Sequence, residues 1–382
     1  MTGPRIVLAP DSFKGSASAL EVAHALGEGL QTALPHARLT LAPMADGGEG
    51  TLDCVAAAFQ GRWTQVGVQA IHGAPVDARW YLTDDGRAIV ESAEVLGLPL
   101  VQASADAPTL HARGSAALGA LIAAVLDEGV HELYIGLGGS ACNDAGLGLL
   151  IALGATAHDA GGNPVEPTMD GLLALDTLDL SGLDPRLAQT TIHVLCDVDN
   201  PLLGAGGASR VYGPQKGLTD ADIDAVEHAF AHMAACSSAR ALTEKPGSGA
   251  AGGLGFALAL LGGDLQPGAN TLMDMTGLRD ALAAADLVIT GEGRSDTQTL
   301  SGKLPLAIAR AAAPTPTVLL SGAIADDAVD ALAERFAGCF TLVERAGSAD
   351  AALAQPLHWV RHAAAEIGRT WYVTEPPGIG RA

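Results

Sequence analysis

RIVLAPDSFKGSASALEVAHALGEGL, from Arg5 to Leu30, reads as an aliphatic strand, a polar loop and an Ala/Leu-rich helix in direct succession. The strand is expected over Arg5 to Ala9 and the helix over Ala17 to Leu34, with Ser16 or Ser18 as its N-cap. The same order recurs along the chain. Further strands are expected at Ala88 to Glu91, Glu132 to Gly136, Ile192 to Cys196, Asp286 to Thr290 and Thr317 to Ser321. They alternate with helices expected at Gly114 to Leu126, Asp220 to Ala235, Gly252 to Leu261, Leu304 to Ala312 and Asp326 to Phe336. This alternation predicts an α/β fold with a largely parallel sheet.

The 382 residues suffice for about two or three domains. With 48% hydrophobic and 17% charged residues the chain is globular in composition, and its 4% aromatics leave the core to small aliphatics. A net charge of −22 makes nucleic acid and anionic membranes poor partners. Only four lysines occur, Lys14, Lys216, Lys245 and Lys303, and three of them fall in Gly-rich motifs. Five widely scattered cysteines argue against a disulfide framework. The N-terminal apolar run is too short for a signal peptide, and no stretch reaches the ~20 apolar residues of a membrane span, so a cytoplasmic protein is expected. EKPGSGAAGG around Pro246 reads either as a linker or as the opening of a helix, and the tail VTEPPGIGRA as frayed.

Ligands of α/β sheets bind beyond the carboxyl ends of the strands, and here those ends are polar. After the first strand come Asp11, Ser12 and Lys14. PMADGGEGT (Pro43 to Thr51) brings two acids among three glycines, with Asp46 a candidate Mg²⁺ ligand. GLGGSACND (Gly136 to Asp144) supplies Gly138, Gly139, Ser140, Asn143 and Asp144, where backbone N–H groups suit an anion. Asp197 and Asp199 leave a strand two residues apart, a pattern that suits a metal or deprotonation of a hydroxyl. GPQKG holds Lys216, and TGEGRSDTQTLSGK holds Glu292, Arg294, Asp296 and Lys303.

Competing readings are weaker. SGK at Ser301 to Lys303 lacks the first glycine and the Ser/Thr of a P-loop. GLGGSA loosely fits a dinucleotide loop, with Asp159 about 20 residues on, which keeps an NAD-dependent dehydrogenase as the rival class. The pairs His228/His232 and His358/His362 lack the HExxH context and read as solvated surface. Carboxylates, lysines, one arginine and glycine loops without histidine or cysteine chemistry make the inventory of phosphoryl transfer.

Taken together the motifs resemble the type 1 glycerate kinase family of bacteria. The matching segments are APDSFKGSASA, PMADGGEGT, GLGGSACNDAGLG, CDVDNPLLG, VYGPQKG, GAAGGLGFAL and DLVITGEGRSDTQTLSGKLP, in family order along nearly the whole chain. The chain departs from the family at Cys142, where Thr is usual, at Ala145, where Gly is usual, and at Tyr212, where Phe is usual. The resemblance implies ATP- and Mg²⁺-dependent phosphorylation of D-glycerate, to 2-phospho-D-glycerate rather than the 3-phosphate, in glyoxylate or related catabolism. It also implies a flavodoxin-like (Rossmann-like) parallel-sheet domain, residues 1–70 plus 285–382, and a second α/β domain, residues 71–284, with the active site in the cleft between them. Oligomeric state is not implied. On this reading Asp197 is the general base and Asp46 or Asp199 supports Mg²⁺. Lys14 and Arg294 bind carboxylate or phosphoryl, Gly138, Gly139 and Ser140 cradle phosphate oxygens, and Lys216 and Lys303 neutralise charge. Asp11, Ser12, Asn143, Asp144, Glu292 and Asp296 complete the expected substrate- and phosphate-binding set.

Overall fold

The computed structural model describes residues 3–374, so most of the tail expected to fray lies outside the described residues. In chain order the strands are β1 (Arg5–Pro10), β2 (Arg38–Leu41), β3 (Gly61–Gln69), β4 (Pro75–Thr83), β5 (Arg87–Glu91), β6 (Glu132–Gly136), β7 (Thr156–His158), β8 (Thr177–Asp179), β9 (Thr191–Leu195), β10 (Asp264–Gln266), β11 (Leu287–Ser295), β12 (Thr317–Ile324) and β13 (Gly338–Thr341). All six expected strands are present, and each of them pairs in parallel with a neighbour.

The chain divides into two compact units. One holds residues 3–46, 53–58 and 269–374, and the other residues 47–52 and 59–268. These limits differ from boundaries near 70 and 285. The nine-residue β3 pairs along its full length with β4 and so belongs with the middle of the chain, while the helices Gly268–Met275 and Leu278–Ala284 go almost entirely with β1.

The first unit is a five-stranded parallel sheet in the order β13-β12-β11-β1-β2. Numbered within the unit this is 2-1-3-4-5, the flavodoxin-like order. Ile6 and Leu8 of β1, Leu287 and Ile289 of β11, and Val318 and Leu320 of β12 turn toward the helices Ala19–Ala33 and Pro356–Thr374. The opposite face is covered by shorter helices, with Leu319, Leu332 and Phe336 in its core. Ser18 caps the first helix in a capping box with Glu21, which selects it over Ser16. At Gly29 a Cβ would meet the Arg361 carbonyl oxygen at 2.2 Å, so the two long helices touch main chain to main chain there. The C-terminal helix was not foreseen, because its Ala, His and Arg residues break up the apolar stripe.

The second unit carries a six-stranded mixed sheet, β10-β9-β6-β5-β4-β3, parallel from β10 to β5 and antiparallel beyond. Its core runs through Val90, Leu118, Leu121, Ile122, Ile135, Val194 and Phe256. Leu110–Asp127 is apolar enough and long enough to cross a membrane, but half of it is buried and its α-helix covers only Ala116–Asp127. The helix Asp220–Cys236 is capped by Thr219, one residue before Asp220, through a capping box with Asp222. The EKPGSGAAGG segment is no linker. It leads into the helix Ala250–Leu260, deep in this unit, with Ala251, Gly252 and Gly253 in left-handed conformations.

Candidate active site

In the first unit the crossover from β1 and the crossover from β11 leave in opposite directions, so β1/β11 is the topological switch point. Past Pro10 the ladder continues for one more bond, Asp11 N–H to the Gly291 carbonyl at 2.8 Å, and the chain then turns through Ser12–Ser16. β11 overshoots β1 and carries Glu292, Gly293 and Arg294 beyond it. A Cβ at Gly293 would meet Lys14 N at 3.2 Å, and one at Gly322 would meet the Gly293 oxygen at 2.3 Å. Three strand ends therefore stack main chain to main chain, and beside them opens a cavity of about 370 Å³.

Asp11, Ser12, Lys14, Asp46, Glu292, Arg294 and Lys303 all line this cavity. Asp11 is buried, and burial together with the nearby Asp46 charge pushes its pKa up to about 7, against the Ser12 N–H and the Lys14 charge. The buried Glu292 is also pushed up by desolvation, but its Oε1 accepts from Ser295 Oγ at 2.8 Å and Thr299 Oγ1 at 2.7 Å. Glu292 thus fixes the loop that presents Arg294, while Asp296 stands 4.0 Å from Lys303 Nζ. Arg294 is exposed and makes no ion pair among the described residues. The Ser12 hydroxyl is buried and has no hydrogen-bond partner among the described residues.

The glycine loops of the second unit interleave. A Cβ at Gly138 would lie 2.6 Å from Gly48 Cα, and one at Gly252 would lie 2.2 Å from the Cys142 oxygen. Much of the glycine content thus serves backbone packing. Gly138 and Gly139 nonetheless remain accessible, and their N–H groups donate to no acceptor among the described residues. Asn143 and Asp144 are fully buried, and Asn143 Oδ1 has no hydrogen-bond partner among the described residues. Asp144 accepts from Ser115 N and Oγ at 2.8 Å each, Gly146 N at 3.2 Å and Gly148 N at 3.1 Å, so it organises the loop from inside. Asn143 Nδ2 donates to Ser209 Oγ at 3.2 Å. Lys216 is likewise buried, and its Nζ donates to the Cys142 carbonyl at 2.8 Å and Ser140 Oγ at 3.2 Å, with its pKa lowered by desolvation. It is an internal strut of this unit and lies outside the cavity that gathers Lys14, Arg294 and Lys303. Cys142 is buried, its thiol pushed up to about 12, and Ala145 stands at φ +50°, the left-handed conformation that glycine adopts without strain.

Asp197 and Asp199 are exposed on the second unit, and Asp197 Oδ1 accepts the Gly268 N–H at 2.8 Å. Among the described residues no group of three or more His, Cys, Asp or Glu is arranged to hold a metal. His228 and His232 lean on the backbone carbonyls of Asp224 and Asp176. The dinucleotide reading of GLGGSA fails, because its strand must turn straight into a helix and here the helix begins only at Leu147, after Gly146. Two features escaped the sequence reading. One is Glu91, buried at the end of β5 and accepting Leu52 N–H at 2.7 Å. The other is the apolar wall of the cavity, which includes Leu342, Val343, Ala352 and Leu353. The wall comes from short Ala-rich helices that carry no polar motif.

The glycerate kinase family model matches residues 6–372. The chain belongs to the glycerate kinase family. This member is 42% identical over 332 residues to glycerate 2-kinase of Escherichia coli K12, covering 85% of this chain and 86% of the relative. It is 38% identical to a glycerate kinase of Halalkalibacterium halodurans over 95% of this chain and 97% of the relative. A crystal structure named for glycerate kinase 2 of Salmonella typhimurium LT2 superposes with a TM-score of 0.83 at 38% identity, covering 97% and 99% of the two chains. The family inferred from seven short motifs is thus the family of the whole chain.

Proposed function

We propose that this family member transfers the γ-phosphoryl group of ATP to the 2-hydroxyl of D-glycerate, giving 2-phospho-D-glycerate and ADP, in the cytoplasm and in glyoxylate or related catabolism. The observation that carries the reading is the gathering of three cations and three carboxylates around one cavity at the switch point of the first unit. The relative named glycerate 2-kinase supports the 2-hydroxyl.

Lys14, Arg294 and Lys303 neutralise the anionic groups of the substrates, and the unpartnered Ser12 hydroxyl is free to bond one of them. Arg294 presents a planar fork of donors suited to carboxylate or phosphoryl oxygens. The free N–H groups of Gly138 and Gly139 are fitted to phosphate oxygens. As the hydroxyl oxygen bonds to phosphorus and the ADP oxygen departs, the hydroxyl proton passes to Asp197.

The residues present fit Mg²⁺. Asp11 and Asp46 crowd like charge in a partly desolvated place, and Mg²⁺ takes one or two carboxylates with water and phosphate oxygens for the rest. When bound, it supplies positive charge against the phosphate oxygens. Incubation with ATP, Mg²⁺ and D-glycerate, followed by NMR of the product, is expected to show phosphate on carbon 2. Phosphate on carbon 3 would reverse the regiochemistry, and no turnover would overturn the reading.

A further inference from the structure

β3 closes one side of the six-stranded sheet and, among the described residues, pairs only with β4. Two bonds at the ends of this hairpin, Ala70 N–H to the Ala74 carbonyl and Asp84 N–H to the Gln60 carbonyl, both 3.0 Å, set its alternation. Even-numbered residues of β3 turn their N–H and C=O groups to β4. Gly61, Trp63, Gln65, Gly67 and Gln69 therefore turn theirs to the open edge, and all five are exposed. Edge strands of this length are normally guarded by charges, proline, bulges or a covering segment. GRWTQVGVQ has no proline and no acid, and its one charged residue, Arg62, is bound to Glu128. In a chain at −22 this strand contributes no negative charge of its own to the open edge.

From this geometry we infer that β3 is a homodimer interface, pairing antiparallel with β3 of a second copy of this chain about a twofold axis at Gln65. That register sets Gly61 opposite Gln69 and Trp63 opposite Gly67 of the partner subunit. The five outward residues exchange about ten main-chain hydrogen bonds, as many as a standard protein interface carries. The side chains match as well. A Cβ at Gly67 would find only Asp77 Oδ1, at 3.9 Å, so the backbone there is bare on its outer face. Trp63, 43% exposed, is held edge-on to Tyr81 and under the Arg79 guanidinium, 5.0 Å from the ring centre. Laid across the bare glycine it forms the aromatic-over-glycine pair of stable sheets. The Arg79 guanidinium is itself bound to Glu94 at 3.1 Å, so the cross-strand match rests on the ring and the glycine.

Gln65→Pro removes the outward N–H at the axis without touching a β4 bond, which is the setting in which an edge strand accepts proline. Light scattering on the full-length protein at micromolar concentration is expected to give twice 38.4 kDa for the wild type and 38.4 kDa for Gln65→Pro, with unchanged circular dichroism. Trp63→Lys, a change at an exposed side chain, is expected to weaken the dimer at least tenfold and decides the matter if Gln65→Pro does not fold. A monomeric wild type, including one whose β3 edge captures another protein's extended segment instead, would overturn the inference. So would a dimer of undiminished affinity in the folded variants.

Discussion

Asp11→Asn is expected to leave a metal-free protein that is more stable than the wild type at pH 8 by a few kcal/mol, yet at least ~100-fold slower in kcat. The folded carboxyl titrates near 7 and an unperturbed Asp at 3.8, because burial and Asp46 disfavour the charged form. Between about pH 4 and pH 7 the folded protein therefore binds more protons than the unfolded chain, and its stability falls as pH rises through that window. Three pH units at about 1.4 kcal/mol each set an upper scale of about 4 kcal/mol. Asparagine keeps the oxygen that accepts the Ser12 N–H and has no charge to desolvate. Thermal unfolding in EDTA should show the variant above the wild type at pH 8 and level with it near pH 4. Adding Mg²⁺ at pH 8 should raise the wild type and leave the variant unmoved. A variant no more stable than the wild type at pH 8 would show that Asp11 is not held against its charge.

Asp144→Ala is expected to have the largest effect on stability, a loss of at least ~4 kcal/mol. Four donors converge on this fully buried carboxylate, and three of them are backbone N–H groups that cannot turn elsewhere. Each buried N–H left without an acceptor costs roughly 1–3 kcal/mol. For a unit of this size that corresponds to a fall of roughly 10 °C in the melting transition. A variant that melts within about 2 °C of the wild type would mean that the loop is held by its glycines alone.

Strand and helix identities were legible where periodicity was strong, and so was the order of the polar loops. The edge hairpin β3–β4 was not, since GRWTQVGVQ buries little and its alternation is shallow. Loop content was harder than loop position. Asp11 and Asp144 are both acids in glycine-rich turns after a strand. One faces a cavity and the other is sealed by its own turn, through the N–H groups of Gly146 and Gly148, and by Ser115, 29 residues back in the chain. Lys216 shows the same limit: a rare lysine in a Gly-rich motif is visible in the sequence, but that Ser140 and the Cys142 carbonyl hold its amino group is not. The contrast between a net charge of −22 and few lysines resolved into Lys14, Arg294 and Lys303 around one cavity. The apolar wall at Leu342–Leu353 left no trace, because small aliphatics in short helices look the same whether they face a core or a ligand.

Arg294 tests most directly whether this cavity handles the charge of the transferred group. It is exposed and bears no ion pair among the described residues, so Arg294→Ala should fold and melt as the wild type does. The measurement is kcat/KM for D-glycerate with ATP and Mg²⁺, with and without added guanidinium. A loss of at least ~100-fold, partly restored by free guanidinium at concentrations that do not unfold the protein, is the predicted result. An unchanged kcat/KM in the folded variant would contradict it.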